Sequence, residues 1–173
     1  MQPSDSSPKP SQPRVSVVFA AHNCKDILSG CLDALAAAGA GTPGLEVVYV
    51  DLGSRDGSDS LDVDYPWLVM MRLPRNFGLT RGRNVGIRVA KGEQVVILDP
   101  RVRVEPKTLS TMADVLEGRK DAAASVCQVI DEKGDLLPQT FPLPVRSVLR
   151  SACIDNQDPP ADTGEPSPVF RCC

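Results

Sequence analysis

Apolar residues of this chain form short runs that alternate with amphipathic segments between positions 14 and 130. Such runs have the length and composition of strands that are buried on both faces. Because helical spacing separates most of them, the pattern predicts an α/β fold with an open, mostly parallel sheet and right-handed crossovers. The predicted strands cover 14–20, 45–50, 68–73, 94–98 and 122–130.

Three longer segments between these runs have apolar residues at helical spacing, and 58–62 is expected to form a shorter helix. The three helices are predicted to start at Asn23, Thr80 and Pro106, the first two as N-caps and the proline in the first turn. The residues expected to face the core are Leu28, Cys31, Leu32 and Leu35, then Val85 and Val89, then Leu109, Met112, Val115 and Leu116.

A length of 173 residues suits one domain with an extension on each side. Residues 1–13 are rich in proline and serine and are expected to be disordered. Residues 14–144 are expected to form the domain. The stretch 145–173, where proline recurs without periodicity, is expected to be an irregular tail. Neither a secretory signal nor an apolar run of about 20 residues is present, so a cytoplasmic location is expected.

Charge is distributed unevenly along the sequence. The net charge is −3, yet 72–103 contains eight cations and two anions, a local charge of +6. A cationic patch in an acidic protein indicates a small anionic ligand such as a pyrophosphate, or else a solvated helix face with scattered arginines. Aromatic residues make up only 4% of the chain, which argues against the stacking platforms that bind single-stranded nucleic acid.

Two predicted strands end in an aspartate. Asp51 follows the run 45–50 and opens a turn rich in glycine and serine, and Asp99 follows the run 94–98. Carboxyl ends of parallel strands meet at one edge of a sheet, where α/β proteins bind their ligands. The two acids therefore indicate a nucleotide site, although Asp51 could instead cap its own turn.

Several motifs resemble family-2 glycosyltransferases with the GT-A fold, including rhamnosyltransferase-like members. His22 and Asn23 match the end of the family's opening motif, whereas Ala20 and Ala21 depart from its Pro-Thr. The resemblance covers the nucleotide-sugar-binding half, up to about residue 144. The remaining matching segments are D-L-G-S-R-D-G-S at 51–58, N-F-G at 76–78, R-N-V-G-I at 83–87, A-K-G-E at 90–93 and the stretch 131–144.

This resemblance implies an incomplete GT-A domain that binds a nucleoside-diphosphate sugar of the UDP or dTDP type. It implies inverting transfer of the sugar to an unknown acceptor. Structural roles stay open for single residues: a backbone role for Gly53, a surface ion pair for Arg83, a buried amide for Asn84 and a strand-end contact for His22. The implied nucleotide-sugar-binding residues are His22, Asn23, Asp51, Gly53, Ser54, Asn76, Arg83, Asn84, Asp99 and Arg101.

One departure concerns the metal site. The family's D-x-D motif binds magnesium or manganese, but this chain has Asp99-Pro100-Arg101, and an arginine does not ligate a divalent cation. Either Arg101, with Arg103, replaces the metal as the counter-charge of the leaving group, or the site has lost activity. No cofactor and no metal ligand is therefore assigned.

No catalytic base is assigned either, because the part of the family that binds the acceptor has no recognisable counterpart here. A non-catalytic nucleotide-sugar-binding or interaction module is the alternative function. A dinucleotide-binding oxidoreductase is excluded because no G-x-G-x-x-G follows the first strand.

Overall fold

The computed structural model describes residues 12–42, 44–131, 135 and the strand residues 170–172. Of the predicted N-terminal tail, residues 1–11 lie outside this described part. The same holds for 136–169, which include most of the predicted C-terminal tail. No helix in the described ranges combines the length and hydropathy needed to cross a bilayer.

A four-stranded parallel sheet forms the centre of the domain, as the alternating pattern predicts. Its strand order is β3-β2-β1-β4. Ala21, the last residue of β1, pairs with Asp51, the last residue of β2. The strands are β1 (Val15–Ala21), β2 (Leu45–Asp51), β3 (Leu68–Arg72) and β4 (Gln94–Ile97), and the helices are α1 (Lys25–Ala37), α2 (Leu79–Val89) and α3 (Thr108–Gly118).

Both faces of the sheet are covered, which is why all seven residues of β1 are buried. On one face, Phe19 of β1 stacks on Tyr49 of β2 with 5.3 Å between ring centroids. This face belongs to the larger core cluster, to which α1 contributes its predicted inward residues Leu28, Cys31, Leu32 and Leu35. On the other face a smaller cluster of Ala20, Val50 and Leu52 packs against Val85 of α2.

Helix α2 approaches the sheet through glycines, which the sequence pattern did not predict. Its buried residues are Gly82 and Gly86, whereas Val85 and Val89 are only partly buried. A Cβ at Gly82 would lie 2.7 Å from Leu52 Cδ2, and one at Gly86 would lie 2.4 Å from Val18 Cγ1. The missing side chains therefore let the helix lie directly on β1 and β2.

All three predicted helix starts are wrong by a few residues. Helix α1 follows Cys24, and α2 follows Gly78, neither with a side-chain cap, so Asn23 and Thr80 are not N-caps. Helix α3 begins at Thr108, so Pro106 lies in the preceding turn. Of the core-facing residues predicted for α3, Leu109 is buried as expected and Met112 and Leu116 are partly buried, whereas Val115 is 47% exposed and the unpredicted Ala113 is buried.

A second, three-stranded sheet consists of β5 (Val102–Val104), β7 (Phe170–Cys172) and β6 (Val129–Ile130), in that order. Strand β7 is parallel to β5 and antiparallel to β6. The structure confirms only the last two residues of the predicted strand 122–130. Residues 122–128 pair with no strand in the described part of the chain. Strand β7 differs from the expected irregular tail, since strand pairing between distant segments is not visible in local sequence.

Candidate functional site

The two aspartates that end predicted strands lie at the same edge of the sheet. Strands β2 and β4 are both parallel to β1 and flank it on opposite sides. The backbone N–H of Leu98 still bonds Val18 of β1, so Asp99 follows directly where β4 leaves the sheet. Asp51 and Asp99 are therefore placed on either side of the carboxyl end of β1, where the prediction requires them.

Asp51 is 1% exposed and its carboxylate closes the turn after β2. One oxygen accepts bonds from the Tyr49 hydroxyl (3.1 Å) and from the backbone N–H of Ser54 (3.3 Å). The other accepts from the N–H groups of Gly53 and Ser54, both at 3.1 Å. Burial, and next the charge of Asp51, raise the pKa of Tyr49. The geometry is that of a turn-closing carboxylate, the alternative left open for Asp51.

Gly53 holds two loops together at this edge. Its φ is +74°, and a Cβ here would lie 2.7 Å from the backbone Cα of Arg75, in the loop between β3 and α2. That loop is itself folded by Asn76, whose side-chain oxygen accepts the N–H of Gly78 at 2.8 Å. Both residues therefore shape backbone at the edge of the sheet, as the sequence predicted for Gly53.

The loop after β1 is tied to the loop after β2 through Asn23. This residue has a positive φ of 50°, which asparagine tolerates better than most residues. Its backbone N–H donates to Ser54 Oγ, and its side-chain oxygen accepts the N–H of Arg55, both at 2.9 Å. Its amide nitrogen lies 3.1 Å from Nε2 of His22, and both side chains are exposed. Asn23 thus links two loops instead of capping α1.

Asp56 makes a second tie between these loops. Its carboxylate accepts the N–H of Lys25, the first residue of α1, at 2.9 Å, and the N–H of Ser58 at 3.0 Å. Burial acts to raise the pKa of Asp56, but the hydroxyl of Ser58 and these N–H groups lower it below 3.8. Asp56 therefore orders the turn and the start of α1.

Cys24 lies among the acids of this edge. Burial is the main cause that raises the pKa of its thiol, and the charges of Asp56, Asp99 and Asp51 act in the same direction. Carboxylates in the loop after β2 and in the loop after β4 therefore both raise the pKa of this thiol. Cys24 at the end of β1 thus lies within electrostatic reach of both loops.

Asp99 and Arg101 form a bidentate ion pair in the turn after β4. Nε and Nη2 of Arg101 each lie 3.0 Å from an oxygen of Asp99, and the backbone N–H of Arg101 donates to the same carboxylate at 3.0 Å. The side chain of Arg101 is 45% exposed, and that of Asp99 is 35% exposed. Burial acts to raise the pKa of Asp99, but hydrogen bonds and charge from Arg101, and the charge of Arg83, lower it below 3.8.

Arg83 of α2 has an unsatisfied donor near this pair. Its Nε is buried and makes no hydrogen bond to any described residue. Burying a guanidinium N–H without an acceptor is costly, and such atoms are frequent where a ligand completes the bonding. The charge of Arg83 also helps to lower the pKa of Asp99, so Arg83 lies close enough to act on the carboxylate in the turn after β4. Asn84, the next residue, is exposed.

Known proteins with this arrangement are glycosyltransferases. Residues 16–160 match the sequence model of Glycosyl transferase family 2. The chain belongs to this family. The succinoglycan biosynthesis protein ExoO of Rhizobium meliloti is 33% identical over 115 residues, which are 65% of this chain and 31% of ExoO.

Two solved structures share the GT-A fold. TarS of S. aureus (residues 1–349), in complex with UDP-GlcNAc, matches with a TM-score of 0.57 and 27% identity, over 61% of this chain and 31% of TarS. The mannosyltransferase PcManGT of Pyrobaculum calidifontis, in complex with GDP-Man and Mn2+, matches with a TM-score of 0.56 and 27% identity, over 75% of this chain and 38% of PcManGT. This family-2 chain spans about a third of the length of these relatives.

The family's divalent metal does not fit the residues present in this chain. Asp99 is the one acid in the segment that resembles D-x-D, and both of its oxygens accept hydrogen bonds from Arg101. No cluster of three His, Cys, Asp or Glu side chains that could hold a metal exists within 12–42 and 44–131. A cation at Asp99 would also meet the positive charges of Arg101 and Arg83, which repel it.

Arg103, considered from the sequence as a second counter-charge, has a different role. Its Nη1 donates to the carbonyl of Pro100 at 2.9 Å, and its Nη2 donates to the carbonyl of Ile27 in α1 at 3.1 Å. A Cβ at Gly30 would lie 2.6 Å from this guanidinium, so the glycine makes room for it. Arg103 therefore anchors the turn after β4 to α1, which is a correction to the sequence-based interpretation.

The larger of the two described cavities includes one candidate residue in its lining. It measures about 590 Å³ and is lined mostly by apolar residues of β4 and α3, such as Val96, Leu109 and Met112. Asp99 is part of this lining, whereas His22, Asn23 and Arg83 are not. Most of the candidate residues at the sheet edge therefore lie outside this cavity.

Proposed function

We propose that this family-2 chain is the donor-binding part of a glycosyltransferase, and that it binds a nucleoside-diphosphate sugar of the UDP or dTDP type at the carboxyl edge of its sheet. One observation carries the proposal. The turns after β2 and β4 flank β1, and on α2, the helix that packs on β1 and β2, the buried Nε of Arg83 has no hydrogen-bond partner among the described residues. The likeness to TarS, which was solved with UDP-GlcNAc, supports the same assignment.

Under this proposal some candidate residues contact the donor, and others shape the loops on which it rests. His22 and Asn23 are exposed at the end of β1 and offer a ring and an amide to the nucleoside. Arg83 and the Asp99–Arg101 pair supply charge for the ribose and the diphosphate. Asp51, Gly53, Ser54 and Asn76 act by shaping the loops on which the nucleotide rests, because their polar groups bond the chain itself. Asn84 is exposed beside Arg83 and completes the surface.

The reaction proposed for the whole enzyme is inverting transfer to an acceptor hydroxyl. The acceptor oxygen forms a bond to the anomeric carbon while the bond from that carbon to the phosphate oxygen breaks. The acceptor proton passes to a general base, and the nucleoside diphosphate leaves with the electron pair. No described residue is assigned as that base, and the chain is proposed to supply the donor side of the site. A cytoplasmic location also stays a prediction.

Nucleotide titration of the full 173-residue chain tests this proposal. We expect UDP or dTDP to shift amide NMR signals of 22–24, 51–58, 83–84 and 99–101 and to leave those of α3 unchanged. Arg83→Gln should weaken binding about tenfold or more, because a charge-assisted hydrogen bond is lost. Arg88→Gln, on an exposed position of the same helix, is the matched control. If neither UDP, dTDP nor GDP shifts these signals, the proposal is wrong.

A non-catalytic nucleotide-sugar-binding module is the second candidate, and the Asp99–Arg101 pair favours it because it occupies the position of the family's metal ligand. Both candidates bind the donor, so turnover distinguishes them. Release of UDP from UDP-GlcNAc in the presence of acceptor extracts would support the transferase. Binding without any release under the same conditions would support the module.

A further inference from the structure

The side chains of the turn after β4 carry the same formal charge as a D-x-D motif with its cation bound. Two carboxylates and one divalent cation have a formal charge of zero, and so do Asp99 and Arg101 together. With Arg83 added, either arrangement presents one net positive charge to a ligand. A divalent cation bound in addition to Arg101 would concentrate three positive charges around the single carboxylate of Asp99, which is electrostatically unfavourable.

We propose that this chain holds the diphosphate of its donor with the guanidinium groups of Arg101 and Arg83, and that binding requires no divalent cation. The inference rests on the proposed function and adds the chemistry of its anion site. Guanidinium groups pair with phosphate oxygens through charge-assisted, often bidentate bonds, so they can replace a cation as the partner of the diphosphate.

Asp99 positions Arg101 for this role. It occupies Nε and Nη2 of the guanidinium, and Nη1 makes no hydrogen bond to any described residue. The side chain of Arg101 is 45% exposed, so Nη1 can reach a ligand without an opening of the fold. The bidentate pair fixes the orientation of the guanidinium before the ligand arrives, which reduces the entropy lost on binding.

Arg83 supplies the second donor from another element. Its Nε is buried and has no hydrogen-bond partner among the described residues, and its charge acts on the carboxylate of Asp99. The turn itself is fixed to α1 by Arg103, which bonds the carbonyl of Ile27. Two guanidinium groups, one from α2 and one from the turn after β4, therefore both act on Asp99, and the buried Nε distinguishes Arg83 from a solvated surface arginine.

Titrations of the full chain with UDP, in EDTA and in MnCl2, test the inference, with uridine as the probe that lacks phosphate. NMR shifts report both affinities. We expect the Kd for UDP to agree within about twofold between the two buffers. Arg101→Gln should weaken UDP binding by about ten- to a hundredfold, because charge-assisted bonds are lost, and leave uridine binding unchanged. Arg88→Gln should change neither affinity.

Arg101→Asp provides the complementary variant, since it restores a D-x-D sequence. It should bind UDP poorly in EDTA and recover in MnCl2, and the thermal unfolding temperature of both Arg101 variants should show that they remain folded. UDP binding by the unaltered chain only in MnCl2 would overturn the inference while the proposed function stands. Equal loss of UDP and uridine affinity in Arg101→Gln would also overturn it. Failure of every nucleotide to bind in both buffers would refute the proposed function and this inference together.

Discussion

Gly86→Ala tests whether α2 is positioned by direct contact of its glycines with the sheet. The new Cβ would lie 2.4 Å from Val18 Cγ1 and 3.2 Å from Val50 Cγ2, although ordinary contact begins at 3.4 Å. Val18 and Val50 are both fully buried in strands that are covered on both faces, so their β-branched side chains have no free rotamer to adopt. The helix must therefore move away from the sheet.

Two opposing terms decide the magnitude. Alanine stabilises a helix interior by about 1 kcal/mol relative to glycine. Overpacking a filled core costs about 1–3 kcal/mol, and an overlap of this size with Val18 belongs at the upper end of that range. We expect Gly86→Ala to lower the free energy of unfolding by about 2 kcal/mol. Because α2 also presents Arg83, UDP affinity should fall as well.

Urea unfolding followed by circular dichroism measures this change. Gly118→Ala is the control, because Gly118 ends α3 with nothing within 4 Å of the added Cβ, and it should be neutral or slightly stabilising. In a Val18→Ala background, which removes the clashing methyl group, Gly86→Ala should cost less by about 1–2 kcal/mol. Equal stability of Gly86→Ala and the unaltered chain, or an equal cost in both backgrounds, would refute the reasoning.

Three further predictions concern the loops. Asn23→Ala should lower the unfolding free energy by about 1–2 kcal/mol in urea melts, because the bond to the N–H of Arg55 is lost and alanine disfavours a positive φ, whereas Asn23→Gly should cost less. The pKa of Asp56 lies below 3.8 because the hydrogen bonds to its carboxylate outweigh the effect of burial. Its ionised form therefore stabilises the fold above that pH, and this contribution is lost as the pH falls through the lowered pKa. Asp56→Asn should reduce the fall in unfolding free energy on the acid side of a stability–pH profile. Arg103→Lys should destabilise by about 1 kcal/mol, since one ammonium cannot replace both guanidinium bonds, and an unchanged melting temperature would contradict the anchoring role.

Local sequence was sufficient for the order of the four strands of the main sheet and of the three α-helices. Buried strands are apolar over most of their length and helices repeat every few residues, so the runs around 45–50 and 94–98 predicted their strands within a residue. Parallel strands end at one edge, which placed Asp51 and Asp99 together without any knowledge of contacts. The motifs at 22–23, 51–58, 76–78, 83–87, 90–93 and 131–144, taken together, indicated the family.

Helix starts and the short strands could not be read in the same way. Thr80 has a side chain that commonly caps helices, but the backbone of Gly78, with a φ of +89°, ends the loop two residues earlier. Strand β5 has only three residues, and its partner β7 is more than sixty positions away in the chain. Such pairings depend on which distant segments the fold brings together, and local propensity carries little information about them.

The sequence by itself determined which residues come at the carboxyl edge of the sheet, because the end of each apolar run marks a strand end and the alternation of strands with helices predicts a parallel sheet. Only the tertiary structure decided what each polar side chain does there. Asp51 is directed into its own turn, Asn23 bonds a loop 32 residues away, and Arg101 is held by Asp99. The physical reason is that a hydrogen bond is selected by distance and angle, which several separate segments set together once they are packed.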